Sequence, residues 1–172
     1  MRYDKSYMTP EKFREVIESL GQTPVVLASV FQELSQADLE LKDSEEFSAL
    51  ENICHLRDLE IEGYGERIVR ILEEDNPFLA DFDGARLAIE RDYNNQDAKA
   101  ALAAFNDARS RTLSLLKKLN PEQIMREAIL EGVGVINLEK LIEMMVEHDE
   151  GHVQELMTIS RRSQRRSETG MV

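Results

Sequence analysis

The sequence predicts an all-α protein, a four-helix bundle with long connecting loops. Apolar residues recur at helical spacing along most of the chain, and no segment alternates apolar and polar residues over the length of a strand. Four long helical segments are expected, at about 10–35, 47–75, 97–119 and 137–163. Amphipathic helices of this number bury their apolar faces by packing around one core. We therefore expect residues 1–172 to form a single domain.

The predicted helices begin and end at specific signals. Thr9-Pro10-Glu11 combines an N-cap threonine with proline at the first helical position, and Thr23-Pro24 predicts a restart or kink in the same helix. Ser48 and Glu51 have the spacing of a capping box at the start of the second helix. Asn76-Pro77 ends that helix, because proline lacks the amide that would continue it.

Two connections are long for a simple up-down-up-down bundle, residues 35–46 and residues 76–96. The second contains a predicted helical turn near 85–91. Asn120-Pro121 predicts a short helix to about Ile129, followed by a connection that glycines interrupt. Long loops in a compact domain often border a functional site, so we expect these segments to lie near one.

The charge balance argues against nucleic acid as a partner. The chain has 21 basic and 34 acidic side chains, a net charge of −13, whereas a duplex-binding domain needs a basic face to neutralise phosphates. The exception is a basic tail at residues 161–172, which contains Arg161, Arg162, Arg165 and Arg166. We interpret it as a solvated helix end, where cations are favourable, with contact to an acidic partner as the alternative.

Composition places the chain among cytoplasmic globular proteins. Its 172 residues include one cysteine, which excludes an internal disulfide and favours a reducing compartment. No stretch of about 18 apolar residues exists, so we expect no membrane span. The amino-terminal sequence becomes polar too early for the apolar centre of a signal peptide.

His148 and His152 are the strongest candidates for a functional site. They lie four residues apart on the last helix, about 40° apart around its axis, within the apolar stripe. Two imidazoles one turn apart on a buried face can bind one cation, but they can equally be core residues with hydrogen-bond partners. A zinc-peptidase motif is disfavoured, because Asp149 follows His148 where that motif has glutamate. We expect Asp149 to be a solvated carboxylate.

Helical phase alone does not place His55 beside the other two histidines. Its helix carries a main apolar stripe, and His55 lies off that stripe, on an arc shared with Leu56 and Leu59. The helix is thus apolar on two sides, as a central bundle helix would be. Cys54 is interpreted as a small core residue rather than a ligand or nucleophile.

Several segments together resemble the DinB-like (DinB/YfiT) metalloenzyme family over roughly residues 10–160. The stretch from Phe47 to Glu60, with His55 followed by Leu and acidic residues, is similar to the family's metal-binding segment on helix two. The closing helix from Asn137 to Leu156 resembles the family's helix with paired histidine ligands. Further similarity comes from the Asp81–Asp83 loop and from Leu119-Asn120-Pro121. Two departures are Phe47, where the family often has tryptophan, and the poor helix former Gly151.

The resemblance implies a three-histidine site, His55, His148 and His152, for a divalent metal such as zinc or nickel. It also implies a homodimer and a small-molecule substrate, with a low-molecular-weight thiol as one candidate. Family members include thiol transferases and thiol-dependent isomerases, and others are described as metal-dependent hydrolases. We therefore expect an enzyme that activates a thiol or water at this metal. The alternatives are a non-catalytic metal-binding stress protein and an acidic helical interaction module.

Carboxylates are expected to orient the imidazoles by accepting their second N–H. The sequence offers four candidates for this role and does not favour one over another. They are Glu51, Asp58, Glu62 and Glu155. We also expect the apolar surface around Leu56 and Leu59 to contribute to a dimer interface, because one bundle would not cover it.

Overall fold

Four helical segments pack side by side in the computed structural model, which describes residues 8–42 and 46–169. The second of these segments is continuous but changes type, from α-helix to π-helix and back. The helices are α1 (Pro10–Glu33), α2 (Gln36–Glu40), α3 (Ala49–Asp58), the π-helix (Leu59–Gly65), α4 (Glu66–Glu73), α5 (Gly84–Glu90), a short 3₁₀-helix (Tyr93–Asn95), α6 (Ala98–Leu116), α7 (Pro121–Ile124) and α8 (Leu138–Thr169). They confirm the predicted four-helix bundle.

The order of helices around the bundle is not the order along the chain. Helix α1 packs mainly against α6 and α8, and α3 packs mainly against the same two helices. The first two long helices therefore lie on a diagonal, and the chain must cross the end of the bundle to connect them. This crossing is the reason that the connection between α1 and α3 is long. The helices described here include none that is long and apolar enough to cross a membrane.

The capping signals that the sequence predicts are present. The Thr9 hydroxyl accepts a hydrogen bond from the Lys12 amide at 3.2 Å. The Ser48 hydroxyl accepts from the Glu51 amide at 3.0 Å, and the Glu51 carboxylate accepts from the Ser48 amide at 2.8 Å. These bonds satisfy amides that have no partner within the helix. Of the two alternatives predicted at Thr23-Pro24, a restart or a kink, the restart does not occur, since α1 continues through Pro24.

A small three-stranded sheet at one end of the bundle contradicts the expectation that the chain forms no strands. Strand β1 (Phe78–Leu79) pairs in parallel with β2 (Glu127–Leu130), which pairs antiparallel with β3 (Gly134–Asn137). The short helix predicted to reach Ile129 ends at Ile124 instead. Strands of two to four residues are too short to show alternation, and pairing between residues about 50 positions apart carries no local signal.

A layer of polar residues crosses the middle of the bundle and divides the core into two apolar clusters. On α1, Thr23 lies between Leu20 of one cluster and Leu27 of the other. On α8, His148 and His152 lie between Met145 and Leu156 in the same way. The buried polar residues of this layer from the four long segments are Thr23, His55, Asp58, Glu60, Arg109 and Asp149. Since buried polar groups are costly unless paired, this layer is where function is expected.

The predicted dimer stays a prediction, but its structural argument is wrong. Leu56 and Leu59 are 2% and 6% exposed within the single chain, so they leave no apolar surface for a partner. Helix α6 packs against both α3 and the π-helix in this part of the second segment. Helix α8 also extends beyond the predicted end at Ser163, through the arginines of the basic tail to Thr169.

Candidate metal centre

The imidazole rings of His55, His148 and His152 meet in the polar layer. His55 Nε2 lies 3.0 Å from His148 Nε2, and His152 Nε2 lies 3.1 Å from His148 Nε2. The three ring centroids are 4.4–5.1 Å apart. Within residues 8–42 and 46–169, they form the one group of three or more ligand-type side chains close enough to share a metal ion. The structure thus brings together all three residues of the predicted site.

Asn52 holds the ring of His152. Its side-chain Oδ1 lies 2.5 Å from His152 Nδ1. The amide orientation is fixed, because Asn52 Nδ2 donates to the backbone carbonyls of Ser48 at 3.0 Å and Phe47 at 3.4 Å. With Oδ1 as the acceptor, the proton of His152 resides on Nδ1, and the lone pair of Nε2 points toward the other rings.

Packing, rather than hydrogen bonding, supports the other two rings. The Nδ1 atoms of His55 and His148 are buried and have no hydrogen-bond partner among the described residues. The His55 ring lies between Phe47 and Phe82, at centroid distances of 5.4 and 6.1 Å. Tyr64 presents its ring edge to His148 at 6.0 Å. Aromatic contacts of this kind fix ring planes without fixing a proton.

Burial keeps the three imidazoles neutral. It lowers the pKa of His55 to about 3, with further lowering by the neighbouring His152 and His148. Burial likewise lowers the pKa of His148 to about 3, with smaller contributions from His152 and Arg109. The pKa of His152 is lowered by the same cause, against the opposing effect of Glu155. Neutral imidazoles are the form that binds metals.

Comparisons with known proteins identify the family of the chain and a solved structure with the same fold. A model of the DinB superfamily matches residues 19–156. The chain belongs to the DinB superfamily. A solved structure, YfiT from Bacillus subtilis, superposes with a TM-score of 0.85 at 21% identity, covering 95% of this chain and 94% of its own. That protein is described as a probable metal-dependent hydrolase with an unusual four-helix bundle topology. No curated protein matches the chain.

The three histidines of this DinB-superfamily chain suit a divalent metal. Metal–nitrogen bonds of 2.0–2.1 Å at tetrahedral angles place ligand nitrogens roughly 3.3–3.4 Å apart. The observed separations of 3.0 and 3.1 Å are close to this range.

Asp149 is buried, so its expected role as a solvated carboxylate is wrong. It is 4% exposed, and its Oδ2 accepts hydrogen bonds from Arg109 at 2.6 Å and from the Thr23 hydroxyl at 2.7 Å. Arg109 also donates to Glu60 Oε2 at 2.9 Å and to the Leu20 carbonyl at 2.9 Å. This buried network connects four bundle segments directly beside His148.

One of the four candidate carboxylates contacts an imidazole. Glu155 Oε2 lies 3.4 Å from His152 Nδ1, farther than the amide oxygen of Asn52. Asp58 instead accepts from Arg57, Arg91 and Tyr93. Glu62 pairs with Arg91, and Glu51 pairs with Lys42 and caps α3. Asn52 was not among the predicted site residues, because only the structure shows that it is fully buried and therefore needs hydrogen-bond partners.

The π-helix explains why helical phase did not place His55. In a π-helix, hydrogen bonds join residues five apart, so each residue turns the chain by a smaller angle about the helix axis than in an α-helix. Side chains after Leu59 therefore point in other directions than α-helical spacing predicts. Ile61, which α-helical spacing places on the main apolar stripe with Ile53 and Ile68, is 43% exposed. Leu56 and Leu59, assigned to a separate arc with His55, are core residues. The wide turn also directs Tyr64 toward His148.

A cleft of about 390 Å³ lies beside the histidines. The histidines are not among its lining residues, but their neighbours are: Phe47, which stacks on His152 at a centroid distance of 6.4 Å, Gly151 and Glu155. From there the cleft follows α8 toward Arg162 and Arg166. Cys54 is fully buried, as predicted, and burial raises the pKa of its thiol to about 11.

Proposed function

We propose that this protein is a metal-dependent enzyme in which His55, His148 and His152 bind one divalent cation, zinc or nickel. The observation that carries the proposal is the convergence of three neutral imidazoles, one buried and two partly buried, with their Nε2 atoms facing one another. A metal with three imidazole ligands keeps an open position and lowers the pKa of a water or thiol held there.

The chain's own residues hold the ligands and bind the substrate. Asn52 keeps the proton of His152 on Nδ1, which leaves Nε2 free to bind metal. Phe47 and Glu155 stand where the cleft meets His152, and we assign the cleft to a small-molecule substrate. Cys54 does not supply the nucleophile, because its thiol is buried and its pKa is raised to about 11. The nucleophile must come from water or from a thiol substrate.

Hydrolysis is the reaction that we favour. The description of YfiT as a probable metal-dependent hydrolase supports it, together with the shared fold. Transfer of a low-molecular-weight thiol is the alternative, since the same open metal position would activate a thiol in place of water. A homodimer remains part of the proposal, to be measured by light scattering across a range of protein concentrations.

Metal analysis of untagged protein, followed by calorimetric titration with zinc and nickel, tests the site. We expect one ion per chain. Since the chain has 3 histidines, the single variants His55→Ala, His148→Ala and His152→Ala cover every imidazole. Each should lose tight binding while the helical circular dichroism spectrum is retained.

A His55→Ala variant that binds metal as tightly as the parent would reject the three-histidine site. No binding by the parent would favour the acidic interaction module instead. The loaded protein is then assayed with ester and amide substrates and for thiol transfer. One ion per chain without turnover in either assay would support a non-catalytic metal-binding protein.

A further inference from the structure

Gly84 touches the ring of His55. It is the first residue of α5, buried, and preceded by Asp83, whose Oδ1 accepts a hydrogen bond from the Arg86 amide at 3.0 Å. A Cβ atom at position 84 would overlap His55 Cε1, and it would lie 2.5 Å from Nδ1 and 3.5 Å from Nε2 of the same ring. The backbone of α5 therefore approaches the imidazole more closely than any residue with a side chain would allow.

The glycine is not required by backbone conformation. Gly132 and Gly134, in the turn between β2 and β3, have φ angles of 76° and 104°, in the region that favours glycine. Gly84 is not among the residues with positive φ, so another residue could adopt its backbone angles. What position 84 needs is the space of the missing side chain, and His55 fills that space.

His55 depends on such packing more than His152 does. Its Nδ1 has no hydrogen-bond partner among the residues described, whereas His152 Nδ1 is held by Asn52. Metal-bound histidines usually donate this second nitrogen to a fixed acceptor, which sets the ring orientation. In the absence of that bond, the ring of His55 is confined by Phe47, Phe82 and the backbone of Gly84.

We infer that Gly84 is a positioning residue for the metal centre, acting through His55. By admitting the imidazole against the backbone of α5, it directs His55 Nε2 to within 3.0 Å of His148 Nε2. A methyl group at position 84 would push the imidazole ring of His55 away from this position. His55 Nε2 would then no longer face His148 Nε2, and the third metal ligand would be lost. The part of this inference that concerns metal binding rests on the proposed function. The steric part, that Gly84 makes room for the ring of His55, applies equally to the metal-free protein.

Gly84→Ala and Gly21→Ala form a matched pair of variants. Gly21 lies within α1 and does not line the cleft, and a Cβ there would make only an ordinary contact, 3.9 Å from Leu113 Cδ1. We expect Gly84→Ala to lower zinc affinity about 100-fold, to the level of His55→Ala. Gly21→Ala should leave zinc affinity unchanged and raise the urea midpoint, because alanine is the better helix former. Zinc affinity of Gly84→Ala within twofold of the parent would overturn the inference.

The double variant His55→Ala/Gly84→Ala separates a positioning role from a general structural one. If Gly84 acts through His55, the second substitution adds nothing to the first, and the double variant binds zinc like His55→Ala. A further loss would show that Gly84 acts elsewhere. If Gly84→Ala alone does not fold, the double variant should fold, since removing the ring makes room for the methyl group. Failure of both to fold would contradict the steric account.

Proton NMR of the metal-free protein tests the steric part independently of metal binding. The chain has 3 histidines, so three imidazole Cε1–H resonances are expected, and His55→Ala identifies one of them. Gly84→Ala should shift that resonance and leave the other two nearly unchanged. If the parent binds no metal but this shift occurs, the proposed function fails and the steric role of Gly84 stands. An unshifted His55 resonance would reject the role of Gly84 whether or not metal binds.

Discussion

Asn52 and His152, which lie 100 residues apart in the chain, are joined by a 2.5 Å hydrogen bond between Asn52 Oδ1 and His152 Nδ1. The bond links α3 to α8, the two helices that carry the three histidines. Because the Asn52 amide is anchored to carbonyls of its own helix, its oxygen cannot turn away from His152 without losing those bonds. Asn52 thereby sets both the ring orientation and the tautomer of His152.

Replacing Asn52 with leucine should weaken metal binding without unfolding the bundle. Leucine has the same branched shape but accepts no hydrogen bond, so Nδ1 of His152 would lose its partner. We expect zinc affinity to fall about 10–100-fold. Isothermal titration against zinc measures the effect, with urea unfolding to confirm that the variant is folded.

Asn95→Leu serves as its control. Asn95 is exposed, and its side-chain amide donates to Asp92 at 2.9 Å, away from the histidines. Its zinc affinity should equal that of the parent. If Asn52→Leu also binds zinc as tightly as the parent, the hydrogen bond to His152 does not orient the ligand.

Acid should destabilise the metal-free protein as its buried histidines become protonated. The pKa values of His55 and His148 are lowered to about 3, whereas an unfolded histidine has a pKa of about 6.5. Between these values the unfolded chain binds more protons, so the free energy of unfolding is fully present above about pH 6.5 and decreases as the pH falls toward 3. At pH 5 the loss is roughly 2 kcal/mol for each of the two residues.

Urea unfolding in the presence of a chelator, at pH 7.5, 6 and 5, measures this dependence. Carboxylates titrate in part of the same range, so the control is His148→Gln, which removes one imidazole and keeps a neutral polar side chain. Its stability should fall less between pH 7.5 and 5 than that of the parent, by about 2 kcal/mol. An identical decrease in the two proteins would show that His148 is not buried in its neutral form.

Removal of Arg109 should destabilise the whole bundle. Arg109 is 1% exposed and pairs with Glu60 and Asp149, which are themselves buried. Arg109→Met would leave two buried carboxylates without their cation, at a cost of about 3–5 kcal/mol in the free energy of unfolding. Arg86→Met is the matched control, because Arg86 and Glu90 form an exposed pair that contributes at most about 1 kcal/mol. Equal midpoints in urea for the two variants would refute the prediction.

Cys54 should resist thiol reagents until the protein unfolds. It is the one cysteine of the chain, fully buried, with a pKa raised to about 11 by burial. The thiolate that reacts is therefore scarce and inaccessible at neutral pH. We expect Ellman's reagent to label native protein slowly and unfolded protein at once, and Cys54→Ala to retain full metal content. Rapid labelling of the native protein would mean that the thiol is open to solvent and could serve as a nucleophile.

The parts of the fold that depend on neighbouring residues in sequence are predicted well. The capping threonine before Pro10 and the capping box of Ser48 and Glu51 act over three residues, so the sequence reveals them directly. The same holds for His148 and His152, since helix geometry alone places residues four apart on one face. The sequence could not show which residues contact this pair, His55 and Asn52 among them.

Features that depend on distant residues were predicted poorly. Asp149 was predicted to be solvated because its neighbours in sequence do not indicate that it pairs with Arg109, which lies 40 residues away. The sheet was not predicted because its strands are short and because β1 and β2 pair across about 50 residues. The position of His55 relative to the pair was ambiguous because the π-helix shifts the phase of the segment that follows it.

By itself, the sequence determined the four helices, where each begins and the presence of two histidines on one apolar face, because each follows from interactions within one or two helical turns. The resemblance to the DinB-like family, rather than helical spacing, added His55 to the predicted site. The tertiary structure alone decided that three Nε2 atoms meet, that Asn52 fixes one ring and that Gly84 confines another. These contacts join α3, α5 and α8, and they form because the packing of the apolar clusters on either side brings residues from distant parts of the chain together in the polar layer.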